Sequence, residues 1–141
     1  MPTVLITGAA RGLGLDFTRR YAARGWKVLA CARHAEGLEG IAGDIHHHPL
    51  EVTDYAAVKA LAARLDGEAI DVLLCNAGVG GQRGSNAQDL GTLDPAEWHR
   101  IFEINTLAPL MMAEAFVDHV ARSQQKKLIA LSSILGDRKS T

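Results

Sequence analysis

Apolar and polar positions fall into blocks that repeat in the order strand, turn, helix. Thr3–Ile6 is a short β-branched and apolar run, the pattern of a strand buried on both faces. Leu13, Phe17 and Tyr21 then recur at helical intervals, and Arg24-Gly25 provides the stop, with the glycine just past the helix end. Lys27–Ala32 is a second apolar strand, followed by a glycine-containing loop over 35–43. Ile45–Val52 has mixed polarity and carries Pro49, which offers no N–H to a ladder, so this third strand belongs at a sheet edge. Thr53 is placed to cap the next helix, with Asp54 in its first turn and Val58, Leu61 and Leu65 as its apolar stripe. Ile70–Cys75 predicts a fourth strand that runs into Asn76-Ala77-Gly78, and residues 79–93 read as a polar, glycine-rich loop with room for one helical turn. Asp94-Pro95-Ala96-Glu97 starts another helix: Asp94 as N-cap, Pro95 at the first helical position, Glu97 completing a capping box. That helix is expected to reach the neighbourhood of Arg122, and Lys127–Leu131 leads into a fifth strand before Ser132-Ser133 and a polar end.

Strands that alternate with helices imply an α/β fold with a parallel sheet and right-handed crossovers. The expected arrangement is a doubly wound, Rossmann-type sheet in the order 3-2-1-4-5, formed by one domain over residues 1–141. In such sheets a ligand sits beyond the carboxyl ends of the strands, where the order reverses. Gly8, Arg33, Asn76 and Ser133 all lie at such ends.

The turn after the first strand carries the chemistry. Gly8, Gly12 and Gly14 are spaced G-x-x-x-G-x-G, which departs from the common G-x-G-x-x-G dinucleotide fingerprint. No Lys-Ser or Lys-Thr pair follows, which sets the turn apart from a P-loop. A tight turn needs a residue without Cβ, a pyrophosphate needs close backbone approach, and a helix N-terminus presents N–H groups and partial positive charge to an anion. The competing reading is a glycine-rich turn without a ligand.

Composition narrows the partners. The 141 residues are 48% hydrophobic and 22% charged, as in an ordinary globular protein, with a net charge of −1 that offers nucleic acid no basic field. Cys31 and Cys75 each sit in an apolar strand-like run without C-x-x-C spacing, as buried thiols of a reducing compartment do. No signal peptide precedes the first strand and no apolar run is long enough to span a bilayer, so a cytoplasmic protein without membrane contact is expected.

Taken in order, Thr7-Gly8-Ala9-Ala10-Arg11-Gly12-Leu13-Gly14, Asn76-Ala77-Gly78, Asn105 within FEINTLAPL, and Ser132-Ser133 within LSSILG resemble the short-chain dehydrogenase/reductase family. The likeness covers essentially the whole chain. The 80–91 loop and the run from Asn105 to Phe116 look most like its C-factor-like subgroup. The resemblance implies hydride transfer between a nicotinamide cofactor and a small-molecule carbonyl or alcohol. It implies that Gly8, Gly12 and Gly14 form the cofactor turn, that the Leu13 amide meets the pyrophosphate, and that Asn76, Ala77 and Gly78 flank the cofactor. It assigns Ser133 to the reacting carbonyl oxygen and Asn105 to a water in a proton relay. Without the resemblance, Asn105 is simply an amide in an apolar helix.

The end of strand two reads Ala32-Arg33, with no acid to hold a ribose 2′-hydroxyl, and Arg11 sits in the glycine turn. Guanidinium groups pair phosphate in a planar fork, so these arginines favour NADP over NAD, as in basic relatives of that type. On the adenine side the relatives often carry Asp-Val or Asp-Leu, whereas this chain has Glu51-Val52. Val52 can pack on the ring; Glu51 reaches the adenine amino group only by folding back.

The family's general acid is the tyrosine of a Tyr-x-x-x-Lys motif, whose lysine lowers a phenol pKa that is otherwise near ~10. Only eight residues follow Ser133, and the tyrosines are Tyr21 and Tyr55. Tyr55 and Lys59 match the letters but sit on the wrong helix, and read as solvent-side residues. The chain is therefore expected to be the cofactor-binding half of a reductase, incomplete after strand five. Its raw sheet edge, and the wide apolar surface of the helix from Asp94, point to a homo-oligomer. The alternative is a non-catalytic dinucleotide-binding module in signalling or regulation. His46 and His48 share a strand face but lack a third ligand, so no metal is expected, and Ser133 lacks the G-x-S-x-G elbow of a hydrolase.

Overall fold

The computed structural model describes residues 1–79 and 90–132. Five strands, β1 (Thr3–Thr7), β2 (Lys27–Ala32), β3 (Ile45–Pro49), β4 (Val72–Cys75) and β5 (Lys127–Ala130), form one parallel sheet in the order β3-β2-β1-β4-β5. The helices are α1 (Gly12–Ala23), α2 (Tyr55–Arg64), α3 (Pro95–Phe102) and α4 (Ala108–Ala121). The expected order holds, and Pro49 ends the edge strand β3, which among the described residues pairs only with β2.

The period of two along each strand divides the core. Leu5, Leu29 and Leu73 point to one face, where Val58 and Leu61 of α2 and Met112, Phe116 and Val120 of α4 cover them. Val4, Ile6, Val28, Ala30 and Leu74 point to the other face, with Ala22 of α1 and Leu38. The buried stripe of α1 is not the one that periodicity suggests. Gly14, Thr18 and Ala22 are buried, Leu13 is two-thirds exposed, and Phe17 and Tyr21 are only half-buried. Small residues at four-residue spacing let the helix lie close to the sheet, and the Thr18 hydroxyl donates to the Ala9 and Gly14 carbonyl oxygens (3.1 and 2.9 Å).

Two capping expectations need correction. Asp54, not Thr53, caps α2, accepting a hydrogen bond from the Ala57 N–H at 3.0 Å, while the Thr53 hydroxyl donates to Glu51. Asp94 does cap α3, accepting from the Ala96 N–H, but Glu97 is turned to Arg100, which it meets at 2.9 and 3.0 Å, instead of closing a capping box. Nor is the following helix uniform. Between α3 and α4 the chain makes one wider, π-type turn over Glu103–Leu107. Pro109 explains it: the residue has no N–H for the Asn105 carbonyl four positions back, and its ring crowds that carbonyl.

At the amino end of the sheet the buried Asp71 carboxylate accepts the N–H groups of Thr3, Gln124 and Gln125, tying β1 to the segment that enters β5. All four residues of β5 are exposed.

Candidate functional site

The carboxyl ends of β1, β2 and β4, with the residues after β3, open onto a cleft of about 640 Å³. Its shape begins at the bend out of β1. Gly8 has a φ of +64°, a conformation that suits glycine, and a Cβ there would meet Asn76 Nδ2 at 3.0 Å and the Ala77 backbone at 3.1 Å. The neighbouring Ala9 N–H donates to the Cys31 carbonyl at 3.1 Å, so the bend is anchored to β2.

Helix α1 starts at this bend without a side-chain cap. Its N-cap residue is Arg11, which makes no capping hydrogen bond, whereas α2 and α3 both have aspartate caps. The first-turn N–H groups of a helix have no intrahelical acceptors, and here Arg11 and Leu13 face the cleft. Gly12 (φ +54°) faces open space, where a Cβ would meet nothing within 4 Å, while Gly14 lies beneath, pressed on Gly8.

The far wall comes from β4. Asn76 donates its side-chain amide to the Thr7 and Gly8 carbonyl oxygens, both at 3.2 Å. The backbone N–H groups of Asn76 and Ala77 donate to the Thr7 hydroxyl at 3.0 and 3.1 Å. Sequence reasoning gives Thr7 no role of its own; its position at the head of the glycine turn is the available signal. Gly78 and Val79 continue the wall, and the Asn105 side chain grips Val79 from both sides. It accepts from the Val79 N–H at 2.8 Å and donates to the Val79 carbonyl at 2.7 Å. Asn105 itself lies within the wide turn before Pro109.

Of the residues singled out in the sequence, Gly8, Arg11, Leu13, Arg33, Val52, Asn76, Ala77 and Gly78 line the cleft. Gly12 does not line it, Gly14 and Asn105 support it through Gly8 and Val79 without lining it, and Ser133 lies outside the described residues, as does most of the 80–91 loop. Arg100 and Ile104 also line it, from α3 and the wide turn; only their distance in sequence hid them. Leu50, Val52 and Ile104 supply apolar lining near Glu51.

The remaining candidates are otherwise engaged. Tyr55 is half-buried rather than solvent-side, and its hydroxyl donates to Glu103 at 3.0 Å. Desolvation and that carboxylate raise its pKa above the ordinary phenol value, the reverse of what proton transfer at neutral pH requires. Tyr21 packs edge-on against Trp26. Burial pushes Cys31 up to about 12 and Cys75 up to about 11, so both thiols stay protonated at neutral pH. His46 meets Asp44, His47 meets the Ala32 carbonyl, and His48 is held below the ordinary imidazole value by desolvation and by Arg64. Among the described residues no group of three ligand-type side chains could hold a metal ion. No helix among them is long and apolar enough to cross a membrane.

Residues 2–141 match the family model described as short chain dehydrogenase. Galactitol 2-dehydrogenase of Agrobacterium fabrum is 33% identical over 141 residues, covering 95% of this chain and 53% of that protein. An alcohol dehydrogenase of the archaeon Thermococcus sibiricus, solved with 5-hydroxy-NADP, superposes with a TM-score of 0.75 at 29% identity, over 87% of this chain and 55% of that one. A short-chain dehydrogenase/reductase from Burkholderia multivorans with bound NADP gives 0.71 at 28% identity, over 84% and 53%. The chain spans about half the length of the curated relatives it matches.

Proposed function

Because the chain belongs to the short chain dehydrogenase family, we propose that it is the cofactor-binding half of an NADP(H)-dependent oxidoreductase acting on a small-molecule carbonyl or alcohol. One observation carries this reading: the N-terminus of α1 has no side-chain cap and opens into the cleft, while the starts of α2 and α3 are sealed by aspartates. Backbone N–H groups without acceptors, at the positive end of a helix, suit a diphosphate. The bend itself brings no side chain into the cleft at Gly8, which lines it as a glycine with a φ of +64°. The NADP bound to the Burkholderia relative and the 5-hydroxy-NADP of the Thermococcus relative support the same assignment.

In this reading the amides around Leu13 hold the pyrophosphate, Arg11 and Arg33 receive a 2′-phosphate, and Val52 packs on the adenine. Asn76, Ala77 and Gly78 position the ribose. Asn105 keeps the Val79 backbone in place and Ser133 meets the carbonyl oxygen of the substrate. When bound, the cofactor supplies or accepts the hydride. The Arg33→Asp variant is expected to bind NADPH one to two orders of magnitude more weakly, because charge-assisted bonds of about 1.5–3 kcal/mol become repulsion. Titration calorimetry that finds unchanged NADPH affinity would remove Arg33 from the site.

A second reading has its own support. Neither tyrosine lines the cleft, so these residues bring no phenol to the reacting carbon. On that ground the chain is a non-catalytic dinucleotide-binding module, in signalling or regulation. Oxidation of NADPH with a panel of ketones and aldehydes separates the two: turnover supports the enzyme, binding without turnover the module.

The apolar surface of α3, the wide turn and α4 suits a second copy of the chain. Phe102, Leu107, Leu110 and Val117 are exposed there, at 56, 45, 63 and 48%. Sedimentation equilibrium is expected to give a dimer that Leu110→Glu reduces to monomer. A cytoplasmic setting fits the two free thiols.

A further inference from the structure

The cleft contains a carboxylate where a 2′-phosphate is expected. Strands β2 and β3 run parallel with Ala32 opposite Pro49, and the Leu50 N–H continues the ladder to the Ala32 carbonyl at 3.2 Å. This register carries Arg33 and Glu51 off the ends of neighbouring strands side by side. The Thr53 hydroxyl holds one Glu51 oxygen at 3.2 Å, and the other lies 3.8 Å from Arg33 Nε. Both residues line the cleft and both remain substantially exposed. At 3.8 Å the pair attracts without a closed hydrogen bond, so the guanidinium is biased but free to turn.

An incoming phosphate must share Arg33 with this carboxylate, and the two anions repel. A 2′-hydroxyl meets no such opposition and finds in Glu51 an acceptor, the role an acid at the end of strand two otherwise fills. Resting on the dinucleotide assignment above, we propose that Glu51 is a specificity-determining residue: it opposes the 2′-phosphate at Arg33 and holds the preference for NADPH over NADH to a narrow margin. The other two arginines of the cleft leave this pair distinct. Arg100 is occupied by Glu97, and Arg11, which shares the 2′-phosphate with Arg33 in that assignment, sits at the helix start, so Arg33 is the one of the two that Glu51 faces.

The experiment is a set of NADPH and NADH affinities, by calorimetry on the full chain, for wild type, Glu51→Gln, Glu51→Ala and the pairings of each with Arg33→Ala. Neutralising the carboxylate is expected to raise the NADPH:NADH affinity ratio about three- to tenfold, a moderate factor because the pair is solvent-exposed. Glu51→Ala is expected to move the ratio the same way, and the gain is expected to shrink when Arg33 is alanine. A loss of fold would lower both affinities together, so the ratio reports selectivity alone. Wild-type binding with a ratio that neither variant moves, or a fall in both affinities in a Glu51→Gln whose urea midpoint matches wild type, would overturn the proposal and return Glu51 to the adenine. Failure of the wild type to bind either nucleotide would overturn the dinucleotide assignment itself.

Discussion

Gly14→Ala is expected to cost more than about 3 kcal/mol of stability, because it forces a methyl group into backbone that cannot retreat. A Cβ at this position would fall well inside van der Waals contact of the Gly8 carbonyl oxygen, 2.7 Å from the Gly8 carbonyl carbon and 2.5 Å from Asn76 Nδ2. The Gly8 oxygen is fixed by the Asn76 amide, and the strand that leads to it is paired on both sides. Helix α1 could relieve the collision only by lifting from the sheet, which would expose Ala22 and break the bond from the Thr18 hydroxyl to the Ala9 carbonyl. Domains of this size are held by about 5–15 kcal/mol in all, so the loss is a large share. Gly12→Ala is the control: its Cβ meets nothing within 4 Å, and its φ of +54° costs a side-chain-bearing residue about 1–2 kcal/mol. Urea unfolding of the two variants beside wild type checks the contrast. Equal midpoints for Gly14→Ala and wild type would mean that the helix does not lie this close.

Thr7→Val is expected to destabilise the chain by about 2–4 kcal/mol, although the two side chains have nearly the same shape. Thr7 is 2% exposed, and its hydroxyl is the acceptor for two successive backbone N–H groups, those of Asn76 and Ala77. Valine keeps the packing and removes the acceptor, leaving two donors that water reaches poorly. Each such loss costs about 1–3 kcal/mol. Thr7→Ser, which retains the oxygen, is expected to recover most of the difference. The two amides themselves offer the more local measurement: in Thr7→Val their hydrogen exchange should accelerate well before that of Leu5 and Leu73 in the sheet centre. If the amides of Asn76 and Ala77 remain as protected as in wild type, the hydroxyl is not what secures the wall of the cleft.

These two variants touch opposite sides of one bend, and the two positions differ in how legible they are. The glycine spacing announces that a helix must approach a strand, and it marks Gly14 on that ground alone. Thr7 stands in the sequence only as a letter of the motif, because nothing local distinguishes a threonine that packs from one that accepts two hydrogen bonds across 69 and 70 positions. Asn105 is intermediate. Its presence in an apolar helix is conspicuous, but its grip on Val79 is made from within a wide turn whose cause, Pro109, lies four residues further on. In α1 the expected helical period is right, with Leu13, Phe17 and Tyr21 keeping the spacing, while Gly14, Thr18 and Ala22 are the residues that meet the sheet. Hydrophobicity alone cannot choose, since the closest packing is made by the smallest side chains.

By itself the amino-acid sequence determined the alternation of strands and helices, the parallel order with Pro49 at an edge, and the glycine bend where the first strand becomes a helix. These follow from local properties: side-chain period, backbone freedom, and the missing N–H of proline. Only the tertiary structure decided which residues share the cleft. Glu51 stands beside Arg33 because β2 and β3 pair in one register, and Arg100 and Ile104 reach the cleft because a helical segment from much later in the chain crosses its mouth. Contacts of that kind are set by strand register and helix docking, which depend on the whole packed sheet and leave no trace in any short stretch of residues.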